Sequence, residues 1–235
     1  MSTEKFQIQV SDINVDVIKK DIKNIHLAVY PPSGRVRLSS PRSMKTESLR
    51  LFVISKLGWI KKHIRKMNAQ VRVPDREYIQ GESHWVQGQR YLLNIIEEEA
   101  PPKVKIRNKK YLDLYVRPGS DKSKREEVIK EWYRGMLKEQ IPALIEKWEN
   151  ELSVTVQDWG VKQMKTKWGS CNIHAKRIWL NLELAKKPKP LLDYVVLHEI
   201  AHLKERLHND RYKGILTKHM PSWKSRQDEL NKIVY

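Results

Sequence analysis

The chain has 235 residues, 40% hydrophobic and 31% charged, with 8 Trp, 9 Tyr and a single Cys. That length and apolar fraction allow one large domain or two small ones with buried cores and exclude a disordered tail, while one cysteine excludes a disulfide framework or a Cys-rich zinc finger. The formal net charge of +18 sits at the two ends, +9 in residues 1–70 and +9 in residues 161–235, which favours polyanionic partners, nucleic acid above all.

No run approaches 18 consecutive apolar residues, and Met1–Phe6 lacks the charged-then-apolar layout of a secretory signal. A cytoplasmic protein with no membrane span is the expectation. Phe6 to Val17 reads as strand, from the alternation in Ile13-Asn14-Val15-Asp16-Val17. Ile25 to Tyr30 and Arg35 to Ser39 flank the turn Pro31-Pro32-Ser33-Gly34 and read as a hairpin. Apolar residues at three- and four-residue intervals, Leu49, Phe52, Val53, Leu57, Ile60 and Ile64, predict one helix over Thr46 to Met67 with a basic opposite face.

Beyond Pro74 the pattern returns to short strands. Trp85 to Gln87 with Arg90 to Ile96, and Val104 to Arg107 with Tyr111 to Val116, predict two hairpins. The loop Arg117 to Ser123 is the expected boundary between a β-rich region with one long helix, residues 1–119, and a second domain, residues 120–235. Ser123 and Glu126 form a capping box for a helix that Pro142 should kink or split. Strand-like runs follow at Val154 to Gln157, Val161 to Lys167 and Arg177 to Leu182, then helices near Pro190–Glu205, Asp210–His219 and Ser222–Ile233. The fold class expected is α+β: N-terminal β-hairpins with a helix, then a mostly helical domain with a short antiparallel sheet.

The segment Leu191 to Leu203 is apolar nearly all round except for Asp193, His198, Glu199 and His202. Burying the last three together costs several kcal/mol unless something satisfies them, and a divalent metal would. His198 and His202, four residues apart on a helix, leave the same face about one turn apart and can share an ion. Glu199, beside the first of them, is placed to act on a water as general base; His-Glu-x-x-His on a helix is the zinc-protease pattern. Asp193 reads as a helix-dipole or capping residue. His208 leads as third ligand, provided the helix ends near Glu205–Leu207 and the chain turns back, with Asn209 capping the next helix. Glu229, Asp228 and His219 remain competitors for that position. Tyr212 and His219 are candidates for extra oxyanion stabilisation, and Cys171 reads as a structural or near-site residue.

The runs Met164-Lys165-Thr166-Lys167-Trp168-Gly169-Ser170-Cys171, Ile178-Trp179-Leu180-Asn181 and Leu192 to Leu203, with Trp59-Ile60-Lys61-Lys62, Trp132-Tyr133-Arg134 and Met220-Pro221-Ser222-Trp223, resemble the YgjP-like metallopeptidases, bacterial relatives of the SprT-like zinc proteases. The resemblance covers nearly the whole chain. It implies a zincin-like fold, Zn2+ held by His198, His202 and His208, Glu199 as base, and a peptide or protein substrate. The family usually has Asn before the third histidine, where this chain has Leu207.

The hairpin before the metal helix suggests strand addition of an extended substrate, with Lys165, Thr166, Lys167 and Trp168 as candidate substrate-binding residues. Two functions are therefore expected to compete: a zinc peptidase acting on proteins associated with nucleic acid, and a non-catalytic nucleic-acid-binding module with a structural zinc.

Overall fold

The computed structural model describes residues 4–30, 33–68 and 75–232. The chain forms two compact units, residues 1–72 and 73–235. The boundary expected at residues 119/120 thus falls inside the second unit.

In the first unit, β1 (Glu4–Val10), β2 (Ile13–Lys20), β3 (His26–Tyr30) and β4 (Arg35–Pro41) form a sheet in the order β1-β2-β4-β3. The expected strand from Phe6 to Val17 is an antiparallel pair, because the chain reverses at Ser11 (φ 55). The β3–β4 hairpin forms as expected, and β2 pairs parallel with β4. The single helix expected over Thr46 to Met67 is two, α1 (Thr46–Ser55) and α2 (Leu57–Asn68), broken at Lys56, whose N–H bonds back to the Val53 carbonyl. Both helices still deliver apolar residues to one core: Leu49, Val53 and Ile60 meet Val15, Val17, Val36 and Leu38.

The second unit begins with β5 (Ser83–Val86), β6 (Gln89–Glu97), β7 (Lys103–Arg107) and β8 (Tyr111–Val116), two hairpins joined in the order β5-β6-β8-β7. Helix α3 (Lys122–Leu152) follows. Its cap is Asp121, whose carboxylate accepts from the Lys124 N–H, rather than Ser123. The helix runs on through Pro142, since Leu137, Ile141, Ile145 and Trp148 are buried on both sides of the proline and packing outweighs one lost backbone bond. Next come β9 (Asp158–Lys162), β10 (Gly169–Asn172) and β11 (Arg177–Asn181), ordered β10-β11-β9, then a 3-10 turn (Leu182–Lys186), α4 (Lys189–Ala201), α5 (Asp210–His219) and α6 (Trp223–Lys232). Residues Val154 to Gln157 form no strand. The last part of the expected helix, Ile233, lies outside the described residues.

Two expectations need correction. The short sheet is mixed rather than antiparallel, because β11 pairs parallel with β9 and antiparallel with β10. The unit is mixed α and β rather than mostly helical, since the β5–β8 sheet shares one core with α3 and α4: Leu93, Leu112 and Leu114 join Ile129, Leu137, Leu192, Val196 and Leu197. Backbone bonds from Gln87 N–H to the Ala185 carbonyl and from Gly88 N–H to the Lys186 carbonyl, both 2.9 Å, bind the first sheet of this unit to the turn that launches α4. The Tyr133 hydroxyl adds a 2.7 Å bond to the Trp85 carbonyl.

Helix α4 is buried nearly all round, as its apolar sequence predicts. Asp193 caps nothing. It accepts from Trp148 Nε1 at 2.7 Å and from Lys147 Nζ at 3.2 Å, so it ties α4 to α3. No helix among the described residues is long and apolar enough to cross a membrane.

Candidate metal centre

Helix α4 carries His198 and Glu199, and His202 occupies its C-terminal cap. The helix stops at Ala201, earlier than the spacing suggests. A tight turn follows, in which the Lys204 and Glu205 N–H groups both bond to the Ala201 carbonyl. The chain then reverses into α5, capped by Asn209, whose side chain accepts from the Tyr212 N–H at 3.0 Å. That reversal carries His208 back over the α4 histidines.

One ligand atom from each of His198, His202 and His208 lies within 4.8 Å of the others. His198 Nε2 and His208 Nε2 are 3.2 Å apart. Two nitrogens at opposite ends of an edge of a tetrahedral zinc site lie about 3.3 Å apart, given Zn–N bonds of about 2.0–2.1 Å. Two of the other ring nitrogens are engaged: His202 Nδ1 lies 3.2 Å from the Glu205 carbonyl, and His198 Nδ1 lies 3.4 Å from the Tyr194 hydroxyl. Such outer partners fix tautomer and ring plane, leaving Nε2 to face the ion. Burial and the neighbouring imidazoles push the His198 pKa down to about 3, and burial also lowers that of His202. Both rings are therefore neutral, the form that ligates. Three imidazoles with no carboxylate among them suit a borderline ion such as zinc better than calcium or magnesium. The residues fit the metal.

Tyr212 is the residue that sequence reasoning undervalued. Its hydroxyl donates to the His198 carbonyl at 2.9 Å, so it is committed and does not serve an oxyanion. Its ring stacks on His202 (4.7 Å, 24°) and meets His198 and His208 edge-on at 5.4 and 4.8 Å. One aromatic plate thus supports all three imidazoles. Tyr212→Phe, which removes only the bond to the His198 carbonyl, is expected to weaken metal affinity about tenfold, measured by competition with a chromophoric chelator. Unchanged affinity would limit Tyr212 to packing.

Glu199 is 5% exposed, and burial raises its pKa to about 8 against the opposing pull of Lys167. Its side chain lies against Gly169 at the start of β10. A Cβ there would stand 2.6 Å from Glu199 Oε1 and 2.7 Å from its Cγ, so only glycine fits. The signal in the sequence was the Trp168-Gly169 pair; what it could not show was the partner. The Cys171 thiol is pushed up to about 11 by burial and by Glu199, which leaves it no nucleophilic character at neutral pH.

A cavity of about 550 Å3 opens over the triad, lined by Lys167, Trp168, Gly169, Tyr194, Arg206 and Leu230 as well as the histidines and Glu199. Of the candidate substrate-binding residues, Lys167 and Trp168 line it, while Lys165 and Thr166 are exposed and do not. The expected strand Val161–Lys167 ends at Lys162. The loop after it is held by Asn181, a buried side chain that bonds to the Met164 and Lys167 carbonyls at 3.0 and 2.7 Å. Among the described residues β10 is an edge strand, paired with β11 alone. The competing ligands lie elsewhere: His219 faces Glu151 at 3.2 Å, and α6 lends the cavity Gln227, Leu230 and Asn231 rather than Asp228 or Glu229.

A family model described as the YgjP-like metallopeptidase domain matches residues 23–233. The chain belongs to the YgjP-like metallopeptidase family. Membership of the YgjP-like family makes this a peptidase domain, a hydrolase that acts on a peptide or protein and implies a metal ion, and a histidine triad is present to hold one. No curated protein matches the chain. Among solved structures, the zymogen of the metallopeptidase abylysin from Pyrococcus abyssi aligns with a TM-score of 0.36 and 19% identity, over 38% of this chain and 90% of that one.

Proposed function

We propose that this YgjP-like domain is a zinc-dependent peptidase in which His198, His202 and His208 hold the ion and Glu199 is the general base. The observation that carries this reading is the buried carboxylate of Glu199 beside the triad but outside the ligand set: a structural zinc needs no acid there, and burying one costs stability. Bound zinc supplies Lewis acidity to the scissile carbonyl and to the attacking water.

The protein's own groups do the rest. Glu199 takes the proton of the attacking water on a carboxylate oxygen and returns it to the leaving amine. Burial pushes its pKa up from the ordinary carboxylate range toward neutrality, the range in which a carboxyl group can both accept and return a proton. The edge of β10 offers main-chain groups to an extended peptide, and Lys167 and Trp168 flank the same cavity. The excess of basic residues supports substrates that are proteins associated with nucleic acid.

Metal analysis tests the ligand set. The purified protein is expected to hold one zinc per chain, and His208→Ala to lose it on dialysis. Stoichiometric zinc in that variant would remove His208 from the ligand set.

A further inference from the structure

The first unit has a feature that the peptidase reading leaves unused. Helices α1 and α2 cover one face of its sheet, and the other face is open. Because side chains alternate along a strand, pairing register defines that open face row by row. One row runs Lys5, Ile18, Ser39, His26; the next runs Gln7, Asp16, Arg37, Ala28; Arg35 and Tyr30 form a further pair. Lys20, Gln9 and Asn14 extend it by the same alternation, and all three are exposed.

The chemistry of this face is one-sided. Lys5, Lys20, Arg35 and Arg37 are basic, and its only acid among the described residues, Asp16, is already engaged by Gln7 at 2.7 Å and by Arg35. Tyr30 is 42% exposed, with the Arg37 guanidinium 5.0 Å from its ring centre. Arg37 Nε is buried with no hydrogen-bond partner among the described residues. Exposed aromatic and imidazole rings, stacked guanidinium and side-chain amides on a basic sheet surface are the groups that receive unpaired bases and their phosphates. Four strands span about 14 Å, room for two or three bases. At about 14 Å across, the four-stranded face is wider than the major groove of a duplex, about 12 Å, and it is too polar to resemble the core of a protein–protein interface.

We propose that the open face of the β1-β2-β4-β3 sheet, centred on Tyr30 and Arg37, binds single-stranded nucleic acid. Binding here depends on no part of the metal centre, so its failure and the failure of the peptidase reading are separable.

Fluorescence anisotropy of the full chain with labelled oligo-U, oligo-dT, a duplex of equal length and polyglutamate tests it. The single strands are expected to bind more tightly than the duplex or the polypeptide, with affinity falling as salt rises. Tyr30→Leu should weaken single-strand binding about tenfold, and Tyr30→Phe should restore it. Lys5→Gln with Lys20→Gln should reduce the salt slope by about 0.7 for each phosphate no longer neutralised. Lys62→Gln with Arg65→Gln, on the exposed side of α2, should leave the Tyr30 effect intact. The ratio of oligo-U to oligo-dT affinity assigns RNA or DNA as the source. Equal binding of the duplex, equal Tyr30-dependent binding of polyglutamate, or full single-strand affinity in a Tyr30→Leu protein of unchanged melting temperature would overturn the proposal.

Discussion

Glu199→Gln is expected to retain zinc and fold while lowering turnover of an unfolded protein substrate by about 100- to 10,000-fold, the range over which a positioned general base accelerates proton transfer. The amide matches the carboxylate in shape, so the packing against Gly169 survives. It cannot accept the proton, so the chemical step fails while the ligands stay in place. The burial that raises the Glu199 pKa to about 8 penalises only the charged form, and the neutral amide removes that penalty. In the metal-free protein a rise in melting temperature alongside the loss of turnover is therefore expected, the trade of stability for function found at active sites. Wild-type turnover in this variant, with zinc bound, would exclude Glu199 as the base.

Gly169→Ala should be nearly as damaging, about 100-fold in kcat, although the residue has no side chain to contribute. The added methyl would occupy the space of Glu199 Oε1 and Cγ, at 2.6 and 2.7 Å. Neither neighbour can yield cheaply. Gly169 is fixed by its register opposite Leu180, and Glu199 leaves a helix that is buried on nearly every side. The carboxylate must swing away, and a displacement of about 1 Å is enough to cost two orders of magnitude. Zinc content should be unchanged, because the three histidines do not touch Gly169 in this way. The double variant Gly169→Ala, Glu199→Gln should be no slower than Glu199→Gln alone, since both act on one group. Additive losses would mean that Gly169 acts through something other than Glu199.

The local features of the site were readable from the chain. His198, Glu199 and His202 follow from helical spacing, α5 begins and ends where its pattern predicts, and Asn209 caps it. The three hairpins announced themselves through alternation and turns. What escaped was everything set by contact between distant segments. Nothing near Gly169 in sequence reveals that a carboxylate thirty residues on will press against it. Tyr212 looks like one more aromatic until the reversal at His208 brings its ring beneath three imidazoles. Asp193 resembles a capping residue, and only the approach of α3 shows its partner to be Trp148. Pro142 carries a local signal that is correct in isolation and is overridden by the core on either side of it. The Pro- and Gly-bearing loop at Arg117 to Ser120, read as a boundary, lies within the second compact unit, where both of its flanks feed one core.

That shared core decides where the protein can be cut. A fragment beginning at residue 120 would discard the strands that cover Ile129, Tyr133 and Leu137, and with them the backbone anchors of the turn leading into α4. Such a piece would keep every histidine of the centre yet emerge from expression insoluble. The second compact unit starts at residue 73, so fragments trimmed from the amino end are expected to stay soluble only when they begin near there, which expression of a trimming series checks.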